Sequence, residues 1–239
     1  MSESCIIITR PLEDAISTAE RLAERGFASF VEPMLAVEFF QAGVEVLKKD
    51  ILQYDGIIIT SKNALRIVSG INKNIKIIVL GAATTALAIE CGFTNVEYAG
   101  ANINELCEFV KAKYAGKTFC YASGESVTQV LGVQNCGNFI TRVVVYKTIA
   151  SQNFSEEFVV RLKNGNFKGV MFFSTKTAAT FARILEHDAL QTYAKQVTAI
   201  CLSVNIAKSI KGCGFGATVF TKNANIDEII SLVERICFE

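Results

Sequence analysis

Apolar residues along this chain fall into two alternating patterns. Short runs without internal alternation occur at 5–9 (CIIIT), 55–60, 75–80, 117–121, 169–173 and 197–202. Runs of that kind suit strands buried on both faces, as in a parallel sheet with helices on either side. Between them lie stretches with apolar residues every three or four positions. In the first, Leu12, Ala15, Ile16, Ala19, Leu22 and Ala23 share one helical face, with Glu13, Glu20, Arg21 and Glu24 mostly opposite. Arg10-Pro11 opens this helix, where a missing amide costs nothing, and Gly26 ends it. Strand then helix, repeated, predicts an α/β fold.

One strand-turn-helix is written twice. DGIIITSKNALRIV at 55–68 and GVMFFSTKTAATFARI at 169–184 each run from apolar residues through a hydroxyl and a lysine into a helix. GAATTALAIECGF from Gly81 pairs with SVNIAKSIKGCGF from Ser203, and ANINEL (101–106) with ANIDEI (224–229). In the last pair Asn102 with Glu105, and Asn225 with Glu228, form capping boxes. These copies predict two related halves.

Two extended runs, 27–40 and 138–150, are too long for single ordinary strands, and Pro33 interrupts the first. Paired with each other, near 33–40 and 140–148, they form a two-stranded bridge. The first domain is then discontinuous, 1–35 with 148–239, and the second is 36–147. Between the copies, a strand at 117–121 leads to a turn at Ser123-Gly124-Glu125 and a helix.

Composition narrows the function. With 239 residues and 51% hydrophobic content the chain supports one large or two small globular domains. A net charge of +1 argues against a broad basic face for nucleic acid. The eight cysteines are scattered, without CxxC and without a partner in the single histidine, so neither a metal nor a disulfide framework is expected. No run approaches the ~18 apolar residues of a membrane span, and a cytoplasmic protein is expected.

The candidate chemistry sits where strands become helices, because unpaired amides there attract anions. Thr9, Thr60 with Ser61, Ser174 with Thr175, and Ser203 occupy such ends, with Arg10, Lys62 and Lys176 beside them and Ser123-Gly124 at the turn after 121. Helix capping explains any one of these hydroxyls. Their recurrence, and the matched setting of Lys62 and Lys176, point to a shared anion site. GCGFG at 212–216 reads as a helix end rather than a phosphate loop, and His187, between Glu186 and Asp188, as a solvated helix terminus. Tyr146 in VVVYKT either packs in its strand or points a phenol into open space.

Taken together, ITRP with its helix, DGIIITSKNAL, VLGAATTALAIECGF, the VYKT run, GVMFFSTKTAATF and ANIDEIISLV resemble the uroporphyrinogen-III synthase family over nearly the whole chain. The resemblance implies an α/β protein of two similar parallel-sheet, flavodoxin-like domains joined by a two-stranded β-ladder. It implies a cofactor-free enzyme that closes hydroxymethylbilane, a linear tetrapyrrole bearing eight carboxylates, with loss of water and inversion of ring D through a spiro intermediate. Its partners would be that substrate and, transiently, hydroxymethylbilane synthase, with the protein itself a monomer. The family's bridge tyrosine carries over to Tyr146 as proton donor to the departing hydroxyl, and Ser61, Thr84, Ser174 and Ser203 match ligand-contacting turns. The second-half turn departs from the family's GPTTA, reading SVNIA with Ile206 in place of a threonine. That departure is the best support for an alternative, a non-catalytic clamp for another polyanion.

Overall fold

The computed structural model of the protein describes residues 5–127 and 129–238. The chain forms two compact units, 1–36 with 149–239, and 37–148.

The chain enters the first unit with β1 (Cys5–Ile8), α1 (Leu12–Ala23) and β2 (Ala28–Val31). Next come β3 (Leu35–Phe39), α2 (Gln41–Asp50), β4 (Gly56–Ile59), α3 (Lys62–Val68), β5 (Ile77–Val79), α4 (Ala82–Glu90) and β6 (Val96–Tyr98). The second unit closes with α5 (Ile103–Lys113), β7 (Thr118–Gly124), α6 (Val133–Cys136) and the long β8 (Phe139–Ala150). The remainder of the first unit is α7 (Glu156–Lys163), β9 (Phe167–Phe172), α8 (Thr175–His187), α9 (Gln191–Ala194), β10 (Thr198–Cys201), α10 (Val204–Ser209), β11 (Ala217–Phe220) and α11 (Ile226–Phe238). No described helix is long and apolar enough to cross a membrane.

The first unit holds a five-stranded sheet in the order β11-β10-β9-β1-β2, all of whose pairings are parallel. Its unalternated runs serve two cores at once. Cys5, Ile7, Val170, Phe172, Ala199 and Cys201 face one cluster with the helices α7 and α8, while Ile6, Ile8, Met171 and Ile200 face another with α1 and α11. A strand that feeds apolar side chains to both faces has no polar position to spare, which is why alternation is missing.

The second unit repeats the scheme. Its sheet runs β3-β8-β7-β4-β5-β6. Ile57, Ile59, Ile77, Val79, Cys120 and Ala122 pack on one face, and Ile58, Ile78, Phe119 and Tyr121 on the other. β3 lies antiparallel to β8, because Phe40 N donates to Val145 O while Glu38 pairs with Lys147 at 2.9 Å, one index falling as the other rises.

Several expectations change in detail. The run at 138–150 is one 12-residue strand rather than a broken one, and because β8 also pairs with β7 the expected ladder is the edge of a larger sheet. β7 continues to Gly124, so Ser123 and Gly124 end a strand instead of forming a turn, and the next helix begins only at Val133. Leu12 and Ile16, assigned to the buried face of α1, are 57% and 52% exposed; the buried stripe is Ala15, Thr18 and Leu22. Pro11 is the N-cap of α1 and not its first residue. Asn102 and Asn225 do accept the amides of Glu105 and Glu228, but the two carboxylates reach back past the cap, to Ala101 N and to Lys222 and Asn223 N.

Candidate active site

In both units serine caps stand two residues beyond strand ends, and the helices begin one residue later. β4, β9 and β10 end at Ile59, Phe172 and Cys201, and the caps that follow are Ser61, Ser174 and Ser203. Each serine oxygen accepts a helix amide: Asn63 N at 3.1 Å, Thr177 N at 3.1 Å and Ile206 N at 3.4 Å. Such a cap stabilises a helix by about 1 kcal/mol. Aligned on these caps, Lys62 is the first residue of its helix and Lys176 the second, so the two lysines are not equivalent: Lys62 answers to Thr175.

In the first unit β10, β9 and β1 are neighbours, so Ser203, Ser174 and Thr9 follow adjacent strand ends. Thr9 is committed elsewhere: it is fully buried and its hydroxyl donates to Met171 O at 2.6 Å. Arg10 is held by its own helix, 3.1 Å from Asp14 and stacked over the Phe173 ring at 4.4 Å. Ser174 Oγ also meets Thr177 Oγ1 at 2.7 Å, and Lys176 is exposed. Ile206, which replaces the family's threonine, is buried in the core.

The second unit gathers more. A concave pocket of about 450 Å³ opens at the ends of β4 and β7, beside Tyr146 within β8, and is lined by Thr60, Ser61, Gly124 and Tyr146 among the candidates named from the sequence. Tyr146 Oη donates to Ser61 Oγ at 2.9 Å. With the Asn63 amide and this phenol both donating to it, the Ser61 oxygen has its two lone pairs engaged, and its own proton is left to donate. Thr60 Oγ1 lies 3.0 Å from Tyr121 Oη, giving a second hydroxyl pair beside the first. Burial pushes the Tyr121 phenol up, against the lowering effect of its bond to Thr60, so it remains protonated at neutral pH.

Other candidates lie outside this lining. Ser123 is buried and bonded by Arg142 Nε at 2.9 Å. Thr84, in the first turn of α4, is 8% exposed, and Lys62 does not line the pocket. Conversely, Tyr121, Asn102, Ser126 and Gln129 contribute polar groups that the sequence reading did not place in a site. Tyr121 carries a weak signal, as the one residue with a polar tip in the run FCYA at 119–122. Asn102 was legible as a cap, and the cap position itself brings it to the pocket.

The pocket combines two helix starts, those of α3 and α5, with two phenol-hydroxyl pairs and apolar walls from Leu80, Ile103 and Val127. Helix starts attract carboxylates and phenols donate protons, so the arrangement suits an anionic substrate whose reaction needs a proton at one oxygen. Among the described residues no group of His, Cys, Asp and Glu is arranged to hold a metal ion.

The family model for uroporphyrinogen-III synthase HemD matches residues 16–231. No curated protein matches the sequence. Among solved structures, the fold is similar to uroporphyrinogen-III synthetase from Helicobacter pylori, with a TM-score of 0.63 and 16% identity over 98% of this chain and 99% of that one. A mutant uroporphyrinogen III synthase from the extremely thermophilic bacterium Thermus thermophilus aligns over 98% and 99% of the two chains at 12% identity and a TM-score of 0.49. At 16% identity the likeness to the Helicobacter pylori structure speaks for the fold, and the sequence match, which spans most of the chain, decides the family. The chain belongs to the uroporphyrinogen-III synthase HemD family.

Proposed function

We propose that this chain cyclises hydroxymethylbilane to uroporphyrinogen III, a hydro-lyase reaction in tetrapyrrole synthesis, and that the pocket of the second unit is where the hydroxyl group departs. The observation that supports it is the Tyr146–Ser61 pair, set in a pocket built at two helix starts within a chain matched over 16–231 by the family.

The chemistry asks little of acid and base side chains. Loss of the terminal hydroxyl breaks a C–O bond, and the oxygen leaves as water if a proton reaches it. Tyr146 supplies that proton directly or through Ser61, whose own hydroxyl hydrogen is free to move on as the phenol replaces it. The electron-deficient carbon left behind reacts with whichever pyrrole position is nearest. Holding the chain ends so that the substituted carbon of ring D is reached first leads to the spiro intermediate and the inverted ring, and that is a task of positioning.

Carboxylates of the substrate are held by many modest contacts. In the second unit these are the amides opening α3 and α5, with Thr60, Ser61, Gly124 and Lys62; in the first, the caps Ser174 and Ser203, with Lys176 and Arg10. Thr84, Ser123 and Thr9 are buried, and their proposed part is to lie behind these contacts rather than to touch the substrate. The two compact units are proposed as the enzyme's domains, and a monomeric, cytoplasmic protein that briefly meets hydroxymethylbilane synthase completes the reading. Freshly made hydroxymethylbilane, incubated with the purified protein, tests it: type III product is expected well above background. Type I alone, at the spontaneous rate, overturns the reading.

A further inference from the structure

The end of β7 is held by a side chain that the reaction scheme does not use. Arg142, half-buried on β8, donates through Nε to Ser123 Oγ at 2.9 Å and through Nη2 to Gly124 O at 2.7 Å and Glu125 O at 2.6 Å. These acceptors sit where the β7–β8 ladder slips: Ser123 pairs with Val144, but Gly124 pairs with Tyr146, so one residue of β8 is skipped. Carbonyls at such a slip lose regular ladder partners, and a planar guanidinium with fixed donors can meet several of them at once.

The same few residues fix Tyr146. Glu125 N donates to Tyr146 O at 2.8 Å, so the Glu125 peptide is tied to β8 both by its amide and, through Arg142, by its carbonyl. Gly124 packs against the Tyr146 ring so closely that a Cβ there would lie 2.7 Å from Cζ. Wherever Arg142 places Gly124, the ring must follow, and with it the oxygen bonded to Ser61.

We infer that Arg142 is a positioning residue for the Tyr146–Ser61 pair, acting through the carbonyls of Gly124 and Glu125. This rests on the function proposed above for its kinetic arm and is independent of it for its spectroscopic arm. Arg142→Met removes all three bonds while keeping much of the apolar stem. Arg142→Lys keeps the charge but not the fork.

The test measures kcat, KM and the ratio of type III to type I product for both variants. It also records the 13Cζ resonance of Tyr146 in protein labelled at tyrosine, assigned by its loss in Tyr146→Phe. Arg142→Met is expected to lower kcat by about 10- to 100-fold with far less change in KM, to raise the share of uninverted product, and to shift the Tyr146 resonance. Arg142→Lys is expected to fall between it and the wild type, and it decides the matter if the Met variant does not fold. An unmoved Tyr146 resonance, or an unchanged kcat and isomer ratio in folded variant, overturns the inference. If the wild type itself makes no type III product, the functional reading fails and the resonance alone judges Arg142.

Discussion

Gly124 and Tyr146 face each other across the β7–β8 ladder with no room between them: a Cβ built on the glycine would stand 2.7 Å from the ring's Cζ and 3.0 Å from its oxygen. Contacts this short force the ring to move. Gly124→Ala is therefore expected to cost about 1–3 kcal/mol of stability and to break the bond from Tyr146 to Ser61. Thermal unfolding with a parallel turnover assay checks it. Full activity in a stable variant would show that the ring does not need its present place.

The Tyr146–Ser61 bond separates a catalytic effect from a structural one. Tyr146→Phe keeps the packing and loses the donor, so turnover is expected to drop by about 100-fold or more with stability little changed. Ser61→Ala loses both the acceptor of that bond and the cap of α3, so it should also lower stability, by about 1 kcal/mol. Denaturant titration beside kinetics distinguishes the two. Equal losses of stability would contradict the assignment.

At low pH the network around Glu97 gives way. Partial burial pushes its carboxyl up, but bonds from Lys113 and Tyr114 and the charges of Lys113 and Lys76 outweigh that, leaving it below 4.5. A carboxyl lowered in the folded state contributes stability above its unfolded value and loses it as pH falls through the folded one. Glu97→Gln is expected to be less stable than wild type at neutral pH and to close that gap below pH 4.5. Melting curves across pH 3 to 7 measure it; a gap that does not narrow in acid rules the network out as the cause.

The opposite limb belongs to buried thiols. Burial pushes Cys120, Cys136 and Cys201 from 9.0 up to about 12. Below 9.0 both folded and unfolded chains keep these protons and nothing is lost; as pH rises toward 12 the unfolded chain ionises first, and stability falls by up to about 1.4 kcal/mol per pH unit for each thiol. The melting temperature is expected to drop more steeply above pH 9 in wild type than in a variant with alanine at all three positions. A thiol reagent at pH 8 should leave these three unmodified until denaturant is added. Their rapid modification in the native protein would contradict the burial.

The positions of strands and helices were legible because each carries its own local signal. Unalternated runs marked strands with a core on both faces, Ser61, Ser174 and Ser203 marked helix starts, and Pro33 marked the place where the chain leaves one sheet for the other. The repeated hydroxyl turns also marked the sheet edge where helix starts offer their amides.

Side-chain contacts between distant strands had no such signal. That Tyr146 reaches Ser61, 85 positions earlier, depends on a ladder slip and on a glycine opposite the ring, and neither is visible until β7 and β8 lie side by side. Thr9 reads like its fellow hydroxyls but is spent on Met171, 162 residues away. Lys62 and Lys176 read as equivalents until the caps show them one position apart. Local backbone preference acts over a few residues and is written in their order. Which hydroxyl stays free and which is consumed depends on neighbours from distant strands, so only the folded chain decides it.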